Sequence, residues 1–142
     1  MAVSLASFVL MVLALLGLLA TDSLFSPSPG IIAVQSVAVA LMIWARVTFG
    51  RRSFHAAANP TAGGIVTTGP YRFIRHPIYT AACWFGWAGV FGHYSPKALA
   101  LGLLLFAGAL GRMLCEERLM AQTYPAYRGY TRGTKRMLPY VF

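Results

Sequence analysis

The sequence predicts an all-α integral membrane bundle of about four transmembrane helices, and three observations support this prediction. Hydrophobic residues make up 58% of the 142-residue chain and charged residues only 11%, with a mean hydropathy of +0.64. Soluble domains carry about 25% charged residues, so lipid is the better solvent for this surface. Long apolar stretches alternate with short turns, and almost all basic residues fall on one side of the predicted bundle. One domain, residues 1–142, fits this length.

Four apolar stretches approach the length of about 20 residues that a helix needs to cross the hydrocarbon. Their predicted limits are about 3–20, 31–49, 77–91 and 98–114. The first has no basic segment before it and no clear cleavage site before Asp22, so we interpret it as a retained span rather than a signal peptide. Short turns rich in Ser, Pro and Gly follow the first and third spans. A site therefore has room only in the longer polar segments after the second and fourth spans.

The charge distribution predicts the orientation. The chain carries twelve Lys and Arg against three acids, a net charge of +9. Only Lys97 lies on one side, whereas the other eleven share the opposite side: Arg46, Arg51, Arg52, Arg72, Arg75, Arg112, Arg118, Arg128, Arg132, Lys135 and Arg136. By the positive-inside rule that side is cytoplasmic and both termini lie inside, for a multi-pass protein of a bacterial inner membrane. Because these cations lie between apolar runs, anionic lipid headgroups or an anionic substrate are expected partners, and nucleic acid is not.

The loop before the third span is a first candidate site. Gly63, Gly64 and Gly69 allow backbone conformations closed to other residues and a close approach of a ligand. Pro77 suits the first turn of a helix, which places His76 at the positive end of that helix. The alternative interpretation is that His76 and Pro77 only cap an interfacial helix.

The end of the fourth span is a second candidate site. Arg112 and Glu116 are four residues apart and share one face if the helix continues past the membrane. Such a pair can simply support a helix. However, Glu116 and Glu117 are the only acids besides Asp22, and ionisable groups near membrane depth tend to face a bundle interior or a wet cavity. No Walker or Rossmann glycine pattern, plausible metal cluster or Ser-His-Asp set accompanies them.

The C-terminal segment mixes aromatic and basic residues, including Tyr124, Tyr127 and Tyr130. An interfacial aromatic belt is one interpretation. The other is that a tyrosine ring stacks on an adenine or attracts a sulfonium through a cation–π contact. The residue types leave both open.

Taken together, these motifs resemble the isoprenylcysteine carboxyl methyltransferase family and the wider group that includes phospholipid N-methyltransferases. The resemblance covers about residues 46–142 and rests on Gly69-Pro70-Tyr71, Arg75-His76-Pro77-Ile78-Tyr79, Glu116-Glu117 and the three tail tyrosines. It implies S-adenosylmethionine bound at the cytosolic face. The family's cofactor contacts fall on Gly63, Gly64, Ile65, Val66, Tyr71, His76, Pro77, Ile78, Tyr79 and Glu116.

The resemblance also implies a role for Arg112, which falls where the family's arginine faces the carboxylate of the methyl acceptor. Arg112 and Glu116 are therefore the expected catalytic residues of an S-adenosylmethionine-dependent methyltransferase. The expected acceptor is lipophilic, a small molecule or a prenylated or lipid species, and a carboxylate in the first instance. A carboxylate is already nucleophilic at neutral pH, so alignment and desolvation suffice.

Three alternatives remain. A phospholipid-type N-methyltransferase would need a group to deprotonate its amine, for which Glu117 or a tyrosine is available. An NADPH-dependent membrane reductase would use arginines for the 2′-phosphate. In a non-enzymatic membrane subunit, His76 and Glu116 would only cap or support helices.

Overall fold

The computed structural model describes residues 2–50 and 64–142, and within them the chain is helical and contains no strand. The prediction of an all-α bundle is therefore confirmed. Five α-helices and one short 3₁₀ helix, Gly69–Arg72, make up the described parts. The α-helices are α1 Ala2–Ala20, α2 Pro29–Phe49, α3 Pro77–Gly92, α4 Pro96–Thr123 and α5 Tyr127–Gly133.

Three of these helices are long and apolar enough to cross a membrane: α1 with 19 residues, α2 with 21 and α4 with 28. Large apolar side chains such as Leu13 and Val37 point outward from α1 and α2, as expected of surfaces that face lipid. Helix α3 has 16 residues, or about 24 Å at 1.5 Å per residue, against a hydrocarbon core of about 30 Å. The predicted third span, residues 77–91, therefore stays a prediction.

Helices α1 and α4 pack closely, as do α2 and α3. Gly108 permits the close approach of α4 to α1, because a Cβ atom there would lie 2.8 Å from the carbonyl oxygen of Ser7. Gly89 of α3 meets the turn after α1 in the same way, with a Cβ position 2.4 Å from the carbonyl oxygen of Leu24. Small residues let membrane helices come this close and pack by dispersion.

Helix α4 continues to Thr123, well beyond the predicted end of the fourth span near residue 114. The continuation keeps Arg112, Glu116 and Glu117 on one regular helix. Beyond it, α5 and the last residues fold back against the start of α3. The backbone N–H groups of Arg75 and His76 donate to the carbonyls of Lys135 at 2.7 Å and Arg136 at 3.0 Å.

The returning C-terminal segment is also held by burial. Met137 joins the core formed by Met11, Cys83, Leu105 and Met113. The Thr80 hydroxyl donates a hydrogen bond to the backbone carbonyl of Met137 at 3.3 Å. The sequence pattern did not predict this return, which brings the C-terminal segment to the same end of the bundle as the beginnings of α1 and α3.

Candidate active site

At the end of the bundle where the C-terminal segment returns, polar side chains and one aromatic ring form two neighbouring clusters around the two adjacent glutamates of α4. The first, the Arg112 cluster, consists of Ser4, Phe8, Tyr79, Arg112 and Glu116. The second, the Glu117 cluster, consists of Arg75, His76, Glu117 and Arg136. Four elements contribute to them: α1, the beginning of α3, the continuation of α4 and the C-terminal segment.

The Arg112 cluster contains the pair predicted from the sequence. Arg112 Nε lies 3.0 Å from Glu116 Oε1, one helical turn along α4. The Tyr79 hydroxyl donates to the same carboxylate oxygen at 2.5 Å and accepts from Arg112 Nε at 3.0 Å. The Arg112 side chain is only 3% exposed, whereas Glu116 keeps 26% of its side-chain surface exposed. Glu116 therefore has accepting capacity for a ligand, and Arg112 is enclosed by protein.

Helix α1 also contributes to the surroundings of Arg112, which sequence reasoning missed. Arg112 Nη1 donates to Ser4 Oγ at 2.7 Å, and the guanidinium carbon lies 5.6 Å from the centre of the Phe8 ring. The available signal was the polarity of α1, because Ser4 and Ser7 are the only polar side chains in that apolar helix. A lone serine is common in membrane helices, so the signal was weak.

In the Glu117 cluster three basic side chains surround one carboxylate. Arg75 Nε lies 2.9 Å from Oε1, Arg136 Nη2 lies 2.9 Å from Oε2, and His76 Nε2 lies 3.2 Å from Oε1. Arg75 also donates to the carbonyls of Thr131, at 3.2 Å, and of Thr134. These contacts tie α3, α4 and the C-terminal segment together and favour a structural role for Glu117.

His76 lies between the two clusters. Its backbone caps α3, and Pro77 occupies the first turn as predicted. Its buried ring has Nδ1 3.8 Å from Glu116 Oε2 and Nε2 3.2 Å from Glu117 Oε1. His76 therefore does more than end a helix, since its side chain faces both carboxylates.

The loop predicted to cradle a ligand is described from Gly64 onward, and Gly63 lies outside the described residues. Gly64 and Gly69 both have positive φ, +74° and +56°, which glycine adopts without strain. Gly64, Ile65 and Val66 are half-exposed, and none of them hydrogen-bonds to either cluster within the described residues. The structure thus brings together the predicted residues of α3 and α4, with this loop beside them.

Tyr71, in the 3₁₀ helix, is a buried residue of that loop. Its ring packs 5.4 Å from that of Phe49, and its hydroxyl is buried with no hydrogen-bond partner among the described residues. Burial, with the nearby negative charge of Glu116, raises the pKa of this hydroxyl, so it stays a neutral donor. An unpaired buried hydroxyl costs free energy, and a bound ligand that accepts a hydrogen bond would remove that cost.

The tail tyrosines differ from a lipid-facing belt. Tyr127 is buried within the protein, 5.9 Å from the Tyr130 ring. The Tyr130 hydroxyl donates to the Tyr71 carbonyl at 2.6 Å, and burial raises its pKa to about 12. The belt interpretation is therefore wrong for the buried Tyr127. Tyr130 links α5 to the loop that carries Tyr71.

Comparison with known proteins gives one match. A family model described as phospholipid methyltransferase matches residues 28–127, more than half of the chain. No curated protein matches, and no solved structure matches. The matched region contains Tyr71, His76, Tyr79, Arg112 and Glu116, whereas α1 and residues 128–142 lie outside it.

Proposed function

Because the chain belongs to the phospholipid methyltransferase family, we propose that it is an S-adenosylmethionine-dependent membrane methyltransferase that modifies a lipophilic acceptor. The observation that carries this proposal is the partly open carboxylate of Glu116. It is held by Arg112 and Tyr79 at the beginning of α3, inside the region that matches the family. An ion pair that only supported α4 would not need a partner from a second helix or a carboxylate that stays partly exposed.

The residues present fit the proposed cofactor. S-adenosylmethionine carries ammonium and hydroxyl donors together with carboxylate and ring-nitrogen acceptors. Glu116 supplies an acceptor, and the buried hydroxyl of Tyr71 supplies a donor that lacks a partner within the described residues. When bound, the cofactor supplies an electrophilic methyl group on a sulfonium. The proposed cofactor residues are Gly64, Ile65, Val66, Tyr71, His76, Pro77, Ile78, Tyr79 and Glu116, with Gly63 outside the described residues.

A carboxylate is the first candidate acceptor. The second acid of the site, Glu117, already accepts hydrogen bonds from Arg75, His76 and Arg136, so it is a poor base. A carboxylate acceptor needs no base, and the site's work would be alignment and exclusion of water. Arg112 would supply the compensating positive charge.

An amine headgroup is the second candidate acceptor, favoured by the description of the matching family model. An ammonium must lose a proton before it attacks a sulfonium, and Glu116 is the acid with the more exposed carboxylate. In that case Glu116 would take the proton from the acceptor's ammonium group rather than bind the cofactor. The two acceptors therefore predict different consequences for the same substitution.

The proposed location of the site is the cytoplasmic face, with both termini inside. The exposed cations Arg72, Arg118, Arg128, Arg132 and Lys135 lie at the end of the bundle that carries the two clusters. Cytoplasmic loops carry the excess of Lys and Arg in membrane proteins. Such cations also attract the anionic lipids of the cytoplasmic leaflet.

Isothermal titration of the detergent-purified protein tests the proposal. We expect S-adenosylmethionine to bind and NADPH not to bind. Glu116→Gln should weaken cofactor binding roughly tenfold or more, because it removes the charge from a charge-assisted hydrogen bond. Asp22→Asn is the matched control, since Asp22 is an exposed acid in the turn between α1 and α2.

The outcomes separate the candidates. Binding of NADPH alone would favour a reductase, and binding of neither ligand would contradict an enzymatic role. Unchanged cofactor affinity in Glu116→Gln, together with loss of methyl transfer to phosphatidylethanolamine, would move Glu116 to the acceptor and favour the amine.

A further inference from the structure

The geometry points to α1 as part of the active site, with Ser4 and Phe8 as positioning residues that hold Arg112 for the methyl acceptor. This inference rests on the proposed function and extends it to an element outside the family match, which begins at residue 28. It also assigns a task to a helix that composition alone describes only as a membrane span.

Ser4 and Phe8 are one helical turn apart, so both face α4. Ser4 is 4% exposed, and its hydroxyl lies 2.7 Å from Arg112 Nη1. Its carbonyl oxygen lies 3.4 Å from the same nitrogen. The Phe8 ring lies 5.6 Å from the guanidinium carbon, within the range of a cation–π contact.

The packing of α1 on α4 makes this contact possible. A Cβ atom at Gly108 would lie 2.8 Å from the Ser7 carbonyl oxygen, and one at Gly111 would lie 2.6 Å from the Ser7 hydroxyl. A larger residue at either glycine would push the helices apart. Arg112 follows Gly111 on α4, and its guanidinium lies within hydrogen-bond range of Ser4.

Three helices contribute partners to Arg112 within the described residues. Its Nε edge contacts Tyr79 of α3 and Glu116 of α4, while Nη1 contacts Ser4 of α1. Hydrogen bonds at two separate nitrogens define the plane of a guanidinium more strictly than contacts at Nε alone, and the Ser4 hydroxyl is the shorter of the two Ser4 contacts to Nη1. Loss of the Ser4 hydroxyl would therefore leave the ion pair with Glu116 intact and relax the alignment of the charge. Turnover of the acceptor should fall, and cofactor affinity should not.

The test uses four variants of the full chain in detergent. Ser4→Ala removes the hydroxyl, and Ser4→Thr keeps one. Ser7→Ala removes a hydroxyl one turn further along α1, beside Gly111, and is the matched control. Phe8→Leu keeps an apolar side chain and removes the ring face, so a folding defect in Ser4→Ala does not end the experiment.

Two measurements are made on each variant. Isothermal titration gives the affinity for S-adenosylmethionine. Methyl transfer from labelled S-adenosylmethionine gives kcat and KM with acetylated farnesylcysteine as a carboxylate probe and phosphatidylethanolamine as an amine probe. Total membrane lipid of the expression host is a third probe, and for this mixture the initial rate of methyl transfer is measured.

We expect Ser4→Ala to lose roughly tenfold in kcat/KM for the acceptor, the size of effect of a hydrogen bond to a charged group. Phe8→Leu should lose about three- to tenfold, the size of effect of a cation–π contact. Cofactor affinity should stay within about twofold of wild type. Ser4→Thr should recover most of the activity, and Ser7→Ala should match wild type.

Ser4→Ala activity equal to that of Ser7→Ala would overturn the inference, as would an equal loss of cofactor affinity and turnover, which would indicate a merely structural role. These failures differ from failure of the proposed function. A wild-type protein that binds no S-adenosylmethionine, or that methylates none of the three probes, removes the proposed function and this inference with it. An active wild type with an unaffected Ser4→Ala removes the inference alone.

Discussion

The Arg112 cluster and the Glu117 cluster are built around consecutive residues of one helix, yet they differ in charge and in access. Successive residues of an α-helix point about 100° apart, so Glu116 meets Tyr79 of α3 while Glu117 meets Arg75 and Arg136. The Glu116 carboxylate accepts hydrogen bonds from one arginine and one tyrosine and stays partly exposed. Three basic side chains surround the Glu117 carboxylate. The difference separates a candidate binding carboxylate from a carboxylate that fastens the structure.

The largest expected effect is on stability and comes from the Glu117 cluster. Glu117→Ala would leave Arg75, His76 and Arg136 without their common partner, and loss of one member of a largely buried ionic group costs about 3 kcal/mol. Unfolding of the detergent-purified variant, followed by circular dichroism with denaturant, measures this loss. Glu117→Gln keeps an acceptor and should lose less. Wild-type stability with no cofactor binding in Glu117→Ala would reverse the roles of the two glutamates.

The next effect is on turnover and comes from the Arg112 cluster. Arg112→Lys keeps the charge but replaces the rigid fork that reaches both Glu116 and Ser4. We expect kcat to fall at least roughly tenfold with little change in cofactor affinity. Arg118→Lys, at an exposed position further along the same helix, is the matched control. Equal losses in both variants would show that charge density on α4, not the geometry of Arg112, sets the rate.

Tyr79→Phe tests the contribution of α3 to the Arg112 cluster. It removes the hydroxyl that donates to Glu116 and accepts from Arg112 but leaves the ring in place. We expect a loss of cofactor affinity of about three- to tenfold, since one hydrogen bond to a charged group disappears while the Arg112–Glu116 pair persists. Titration with S-adenosylmethionine measures it. An unchanged affinity would mean that Tyr79 does not shape Glu116 for binding.

The smallest effect concerns the C-terminal segment. Tyr130→Phe removes the hydrogen bond from Tyr130 to the carbonyl of Tyr71, which should lower the free energy of unfolding by about 1 kcal/mol. Tyr140→Phe is the matched control, because Tyr140 is 90% exposed. If both variants unfold like wild type, α5 does not stabilise the loop that carries Tyr71.

Local sequence features predicted more of α4 and of the start of α3 than of any other part of the site. The spacing of Arg112 and Glu116 predicted their pairing because i and i+4 are neighbours on any helix. Pro77 predicted the beginning of α3 because its fixed φ and missing N–H suit only the first turn. Both depend on the chain's local geometry and need no knowledge of the fold.

Contacts between segments that are far apart in the sequence could not be predicted from it. Ser4 and Arg112 are separated by 108 positions, and Tyr71 and Tyr130 by 59. The tail tyrosines fit an aromatic belt by composition, and only the return of the C-terminal segment shows Tyr127 and Tyr130 in protein surroundings. A pattern of residue types carries no information on which of several similar helix faces will meet.

Composition and the length of the apolar stretches were sufficient to show that this protein is a helical membrane protein. A chain this apolar must satisfy its backbone hydrogen bonds internally when it lies in lipid, and helices do so within each segment. The tertiary structure alone decided that α1 supplies Ser4 to Arg112 and that Glu117 is enclosed while Glu116 is not. Those outcomes depend on the close packing of α1 on α4 at Gly108 and Gly111 and on the return of the C-terminal segment, which are products of long-range packing.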